Sequence, residues 1–346
     1  MKKILVVGQG IAGTTMAWAL RQRGAQVHLI DADAPTSSSS VAAGIINPVT
    51  GKRYVKSWGV ETFWPAARQF YGELEQYLGV RFWHETPILR LLTTHLESND
   101  WAARCALADY ADWLGERPDA GAWSPYLHPR FQFGLIQKSA RVDFSALLPA
   151  FRQKWQQEGR FSIGRFEYSR TGEWLRNYDQ IVYCEGWRAM HNPYFPGLAW
   201  QVVKGEAFII RFPEASATAD MPSDMVKKEA LIAPLGNGLY WAGGTYNWTF
   251  DDELPTAGER AILRGRLADM LAAPYEIVAH RAAVRPSTKD RRPFLGLSLL
   301  DPRVALFNGL GTKGALLAPY WAQHLADHLL NGAALDPEVD IRRFSA

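Results

Sequence analysis

The sequence predicts an α/β protein: a buried parallel sheet at the N-terminus and a second, α+β domain built on an antiparallel sheet. Three observations carry this. Ile4-Leu5-Val6-Val7 is a continuous apolar run that stops at a glycine-rich turn, the pattern of a strand covered on both faces. Further on, Leu231 to Leu235 and Leu239 to Gly243 flank a Gly236-Asn237-Gly238 turn and read as a hairpin. The length of 346 residues suits two domains at roughly 150 residues each.

Taken in order, the first strand leads into Gly8-Gln9-Gly10-Ile11-Ala12-Gly13. A helix is expected over Thr14 to Arg23, with Ile11, Met16, Ala19 and Leu20 inward and Gly24 closing it. Val27-His28-Leu29-Ile30 is the second strand, ended by Asp31. Val202 to Phe212 carries β-formers and alternates in part. Glu259 to Leu271 is expected as a helix, with Ile262, Leu263, Leu267 and Leu271 at helical spacing. Tyr320 to Leu330 continues the final helix.

Composition excludes several classes. Apolar residues make up 47% and charged residues 21%, which is globular rather than disordered. The net charge of +3 comes with no basic tail and gives no reason to expect a nucleic-acid partner. Cys105 and Cys184 stand far apart, so neither a disulfide scaffold nor a cysteine zinc site is expected. His324 and His328 sit i,i+4, but the run His-Leu-Ala-Asp-His lacks the glutamate of a zinc helix, so no metal is expected. Gly8, Gly10 and Gly13 interrupt the N-terminal apolar run, and no run approaches a membrane span, so a soluble, cytoplasmic protein is expected.

The opening residues carry chemistry. In a strand–G-x-G-x-x-G–helix unit, the first glycine allows the turn. The second lets backbone approach a pyrophosphate, and the third lets the helix pack on the strand. Free N–H groups at the helix start attract the anion. Asp31 lies 18 residues past Gly13, placed for a ribose diol. Strand, glycines, helix, strand and acid in sequence point to a dinucleotide; the alternative is a tight turn with no ligand. The motif does not separate NAD from FAD. The next stretch, Thr36 to Pro48, has four consecutive serines and then Ala42-Ala43-Gly44. It reads as a helix start and a close approach to a second flat group, or else as a serine-rich linker.

Five patches together resemble FAD-dependent oxidoreductases of the D-amino-acid oxidase superfamily. They are the glycine unit with Asp31, Ser37 to Pro48, Ala140 to Leu148, Ala282 to Gly296, and Asn308 to Pro319. The likeness is greatest to glycine oxidases and to the flavin domains of tRNA 5-methylaminomethyl-2-thiouridine enzymes. The resemblance implies a Rossmann-like FAD-binding domain from 1–82, 140–199 and 281–346, interleaved with a substrate domain from 83–139 and 200–280. It implies noncovalent FAD, since the last third of the chain has no cysteine. The residues implied around FAD are Gly8, Gly10, Ile11, Ala12, Gly13, Asp31, Ala32, Ser39, Ser40, Ala43, Gly44 and Ile45. The set continues with Val142, whose backbone would pin the adenine, then Glu185, Gly186, Arg285, Gly309, Gly311, Thr312, Lys313 and Gly314. Two departures stand out: Asp31 where the family more often has Glu, and Glu185 where Ala-Gly or Thr-Gly is common.

Three side chains are the catalytic candidates. Arg285 offers the planar bidentate donor that a substrate carboxylate needs, or it pairs with Asp290 or Asp143. Lys313, in Gly311-Thr312-Lys313-Gly314 at a helix start, would stabilise charge on reduced flavin, or lies exposed on a turn. Tyr246 would bond a carboxylate or close the site, or it packs in the core; Trp241 and Trp248 are expected to border the substrate with it. The basic loop Lys52, Arg53 and Lys56 is read as solvated.

The expected function is oxidation of a C–N bond in a small amino acid or N-substituted amino acid, by hydride transfer to flavin with Arg285 on the carboxylate. The partner is then a small carboxylated amine, and the sequence names no electron acceptor. The alternatives are a flavoenzyme tailoring the carboxymethylaminomethyl group of a tRNA wobble uridine, and an FAD-containing electron-relay subunit. An NAD dehydrogenase ranks below all three.

Overall fold

The computed structural model describes residues 1–213 and 221–344; residues 214–220, inside the segment 200–280, and 345–346 lie outside the description. Two sheets organise the chain. The first runs edge to edge as Phe161–Ile163, Gln26–Asp31, Lys3–Val7, Gln180–Tyr183, Val304–Asn308 and Phe294–Leu297. Its first five strands are parallel, and the last edge strand is antiparallel. From Lys3–Val7 the chain builds outward on one side, then returns to build on the other. The order therefore reverses between Lys3–Val7 and Gln180–Tyr183, where such sheets open a crevice beyond the strand ends.

The predicted first strand is buried from Ile4 to Val7. The first helix spans Ile11–Gln22 and is buried on every side through Leu20, not along one stripe. It lies against the last helix, Gly314–Asn331, as well as against the sheet. Gly13 makes the seating possible. A Cβ there would lie 1.7 Å from the Gly8 carbonyl oxygen, well inside contact distance.

The second sheet has eight strands: Glu276–Arg285, Val203–Arg211, Leu239–Gly243, Leu231–Gly236, Met225–Lys227, Ile88–Leu92, Gln132–Ile136 and Leu114–Arg117. The predicted hairpin is present, with Leu231 opposite Gly243. The Val203–Arg211 strand is buried from Val203 to Ile210, although its sequence alternates only in part. Both of its faces are covered. Phe208 and Ile210 join a cluster with Leu263, Leu267 and Met270 of the helix Ala257–Met270. The opposite face, with Gly205 and Ala207, turns to the crevice.

That helix starts two residues earlier than expected, because Thr256 caps it by accepting from Glu259 N at 3.3 Å. Ile262, expected inward, is 46% exposed; the buried stripe is Leu263, Leu267 and Met270. The expected boundary at 280/281 falls inside the continuous Glu276–Arg285 strand. Its ladder to Val203–Arg211 carries Arg285 out beside Val203.

Gly13→Ala should lower unfolding free energy by at least about 2 kcal/mol, since the backbone it meets cannot yield. Gly172→Ala, with nothing within 4 Å of the added methyl, should stay near wild type. Urea melts of the two variants check this.

Candidate functional site

The crevice between the two sheets is a cleft of about 1620 Å³. Pockets for one small ligand are roughly 300–1,000 Å³, so this cleft has room for a dinucleotide and a substrate together. One end begins at the first helix. That helix has no acidic residue in its first turn, and its Gly10 cap supplies no side-chain acceptor. Ser39 Oγ, from the following serine run, accepts from Ile11 N at 3.0 Å. The neighbouring serines do something else. Ser37 and Ser40 cap each other's backbone N–H groups at 3.1 and 2.9 Å. The positive helix end thus opens on the cleft with a hydroxyl beside it, which suits a pyrophosphate.

Asp31 faces the same end. Its carboxylate accepts from Gln9 N at 2.6 Å and Asp33 N at 2.8 Å, and still has lone pairs for a ribose diol. Arg152 was not foreseen. It reaches over from the helix Phe144–Gln157, donates to Gln9 Oε1 at 2.6 Å and pairs with Asp33. No local motif marks it; only the packing of that helix on the crevice brings it there.

Toward the other end, Ala43, Gly44, Ile45, Asn47, Thr50 and Trp241 line the wall. Trp241 Nε1 donates to the Val41 carbonyl at 3.0 Å and ties the second sheet to the nucleotide side. Gly311, Thr312, Lys313 and Gly314 lie along the cleft where the last helix begins. Lys313 Nζ donates to Ser57 Oγ at 3.0 Å. Burial, then Arg291 and Arg292, pull its pKa below the usual lysine value.

Arg285 is held without a carboxylate. Its guanidinium lies flat on Gly205, where a Cβ would stand 2.0 Å from Nη2. Nη1 donates to the Thr245 carbonyl at 3.0 Å, and the Tyr246 ring stacks 4.8 Å away. Burial lowers its pKa. The two acids weighed as partners are engaged elsewhere: Asp290 with Arg343 at 2.8 Å, Asp143 with Arg141 at 3.0 Å. Among the described residues no carboxylate lies within ion-pair distance of Arg285.

Glu185 also lines the cleft, just past the strand Gln180–Tyr183. Tyr168 Oη and Asn192 Nδ2 donate to it at 3.0 and 3.1 Å. Desolvation nevertheless outweighs both bonds and raises its pKa to about 7.

Several expected positions fall elsewhere. Gly13, Val142 and Gly309 do not line the cleft. Gly13 packs helix on turn. The Val142 N–H, expected on an adenine, donates to the Gly44 carbonyl at 2.9 Å, and the side chain is buried. Beside Asp31, the wall is instead Gly164, Arg165 and Phe166. Gly309 abuts Thr288 and Phe294. Tyr246 is at the cleft but 57% exposed, and Trp248, expected on the substrate, stands 55% exposed outside the lining. Lys56 is tied to Glu61 at 2.6 Å. His324 accepts from Asp336 N at 3.0 Å, and the described residues contain no metal-ligating cluster. Among the described residues no helix is long and apolar enough to cross a membrane.

Known proteins share much of this sequence and its fold. A family model described as FAD dependent oxidoreductase matches residues 3–328. The bifunctional tRNA 5-methylaminomethyl-2-thiouridine biosynthesis protein MnmC of Maricaulis maris is 29% identical over 95% of this chain; the chain spans about half, 52%, of that relative's length. Glycine oxidase of Pseudomonas putida is 26% identical over 98% of this chain and 96% of its own. The crystal structure of glycine oxidase from Geobacillus kaustophilus shares the fold, with a TM-score of 0.76 at 19% identity over 97% of each chain.

Glu185 gives a signed prediction. Its folded pKa of about 7 lies above its ordinary 4.5. The neutral acid is therefore favoured in the fold, and its stability contribution, complete below about pH 4.5, is lost as pH rises through 7. At roughly 1.4 kcal/mol per pKa unit, Glu185→Gln should be more stable than wild type by roughly 3 kcal/mol at about pH 8. The difference should vanish below about pH 4.5. Urea melts across that range measure it.

Proposed function

The chain belongs to the family of FAD-dependent oxidoreductases, and on that premise we propose that it oxidises the C–N bond of a small amino acid or N-substituted amino acid. One observation carries the reading: a half-buried guanidinium faces the cleft with no carboxylate to neutralise it among the described residues. A cation left so is costly. A substrate carboxylate, gripped by the planar fork, would remove that cost on binding.

FAD supplies a hydride acceptor when bound, and the residues suited to hold it are Gly8, Gly10, Ile11, Ala12, Asp31 and Ser39 at one end, with Gly311 to Gly314 at the other. The chain's own work is placement and electrostatics. Arg285 fixes the carboxylate, and through it the Cα–H. Ala207 and Ala283 keep the sheet face beside the guanidinium low, and the Trp241 ring over Gly243 bounds the substrate's small body. Tyr246 covers the guanidinium and shields it from water. Lys313 and the start of the last helix would set positive potential at their end of the cleft, favourable to a reduced, anionic cofactor. Hydride loss from the neutral amine leaves an iminium ion, which water hydrolyses after the step. No side chain acid or base is required if the amine enters neutral, so catalysis rests on position.

A second reading has one observation in its favour, the match to half of the bifunctional tRNA-modifying relative. Its substrate group would be an N-substituted glycine carried on tRNA. Retention of tRNA on filters at two salt concentrations, with a steep salt slope, would support it.

Mixing FAD-loaded protein anaerobically with primary and secondary amino acids should bleach flavin absorbance near about 450 nm; no bleaching by any of them sinks the amine-oxidation reading. Arg285→Ala should weaken binding of a carboxylate probe by about a hundredfold, in line with losing a buried charge-assisted pair, while lowering Tm by only a few degrees. Equal losses in binding and folding would mark Arg285 as structural.

A further inference from the structure

The cleft face of the eight-stranded sheet carries a second cation. Lys227 pairs in register with Leu231, Leu231 with Gly243, Gly243 with Ala207, and Ala207 with Arg281. Residues on one rung share a face, and Arg285 lies four positions beyond Arg281 on the same strand. Lys227 and Arg285 therefore stand on one face, and both line the cleft. Between them lie Leu231, the Trp241 ring over Gly243, and then Ala207 and Ala283.

Lys227 has no carboxylate within ion-pair distance among the described residues. Its neighbours make the vacancy more positive. Arg90 is opposite it in register and donates to the Lys228 carbonyl at 2.8 Å. Arg266 donates to the Gly244 carbonyl at 3.0 Å. Glu229 also lines the cleft but is exposed, with Arg266 3.8 Å away. Burial, then Arg90 and Arg266, pull the Lys227 pKa down to about 8.

We propose that Lys227 forms a second anion subsite, so that the preferred substrate carries another acidic group besides the carboxylate assigned to Arg285. This rests on the amine-oxidation reading for the first carboxylate, and it narrows the substrate to an amino acid with an acidic side chain or an acidic N-substituent. On a flat sheet, strand spacing and rise would set the two Cα atoms roughly 23 Å apart. The Arg285 guanidinium leans onto Gly205 of the neighbouring strand, toward Lys227, which shortens that span. The two acid groups are therefore separated by a chain of several atoms.

The test uses FAD-loaded protein and non-oxidisable probes: the α,ω-dicarboxylates from succinate to pimelate, each against the monocarboxylate of the same carbon number. Binding is read by calorimetry and by perturbation of the flavin spectrum. One dicarboxylate should bind at least about tenfold tighter than its monocarboxylate, a factor of the size a single added charge contact supplies. In Lys227→Met that ratio should fall to about one, and Lys227→Arg should restore most of it. Arg285→Met should weaken both probes. FAD content and Tm of each variant confirm that it folds. Wild type without a dicarboxylate preference, or a preference that survives Lys227→Met, overturns the subsite. The two claims fail separately. If amines bleach the flavin but a second acid adds nothing, the subsite falls and amine oxidation stands. If the dicarboxylate preference follows Lys227 yet no amine bleaches the flavin, the reverse holds.

Discussion

Alternate residues of the Val203–Arg211 strand face opposite ways, and most of the molecule follows from that sorting. Phe208 and Ile210 go under the helix Ala257–Met270 and make the core of the second domain. Gly205 and Ala207 face the cleft, where their small size leaves room for a guanidinium to lie flat and for a ligand above it. The same alternation continues across the ladder. Tyr240 and Ala242 join the helix-side cluster, whereas Trp241 crosses to bond Val41 on the nucleotide side. A one-residue slip would exchange these faces, putting bulk in the cleft and a cation in the core.

The cleft then collects charge that the fold leaves unbalanced. Acids near Arg285 in sequence are engaged on the outer side of the strand turns, as Asp290 is with Arg343. Lys313 meets a serine hydroxyl rather than a carboxylate. Lys227 meets two arginines. Glu185 is the opposite case, an acid in a wall with only neutral donors around it. Glu206, on the strand next to Arg285, is a paired case: it lies 3.7 Å from Lys204 Nζ and accepts from Thr256 N at 3.1 Å. Unpaired charge of this kind is tolerated where a ligand completes it.

The nucleotide side works by backbone geometry. The first helix, the serine run and the start of the last helix all present N–H groups or hydroxyls toward one crevice. Only Gly13 lets the first helix come close enough to do so. Membership of the FAD-dependent oxidoreductases is consistent with that cradle, and the division of labour is plain. The six-stranded sheet and its helices form the cradle, and the eight-stranded sheet presents Arg285 and Lys227 to the same cleft.

Local signals determined a good deal of this protein. An apolar run, three glycines and an acid within the first 31 residues specify the strand–turn–helix cradle, because those conformations depend on neighbours in the chain. The hairpin at Leu231 to Gly243 and the cleft positions of Arg285 and Lys313 were legible in the same way, the last two through a family likeness. Tertiary structure alone decided the rest. Val142 looked like a cofactor contact, but its N–H is taken by Gly44, a partner 98 positions away. Ile262 fitted a helical stripe and faces solvent, because the stripe is set by the sheet beneath it. Arg152 and Lys227 carry no motif. They matter because a helix and a strand distant in sequence bring them to one cleft. Whether a charged side chain meets a partner there is a long-range property, and no spacing along the chain records it.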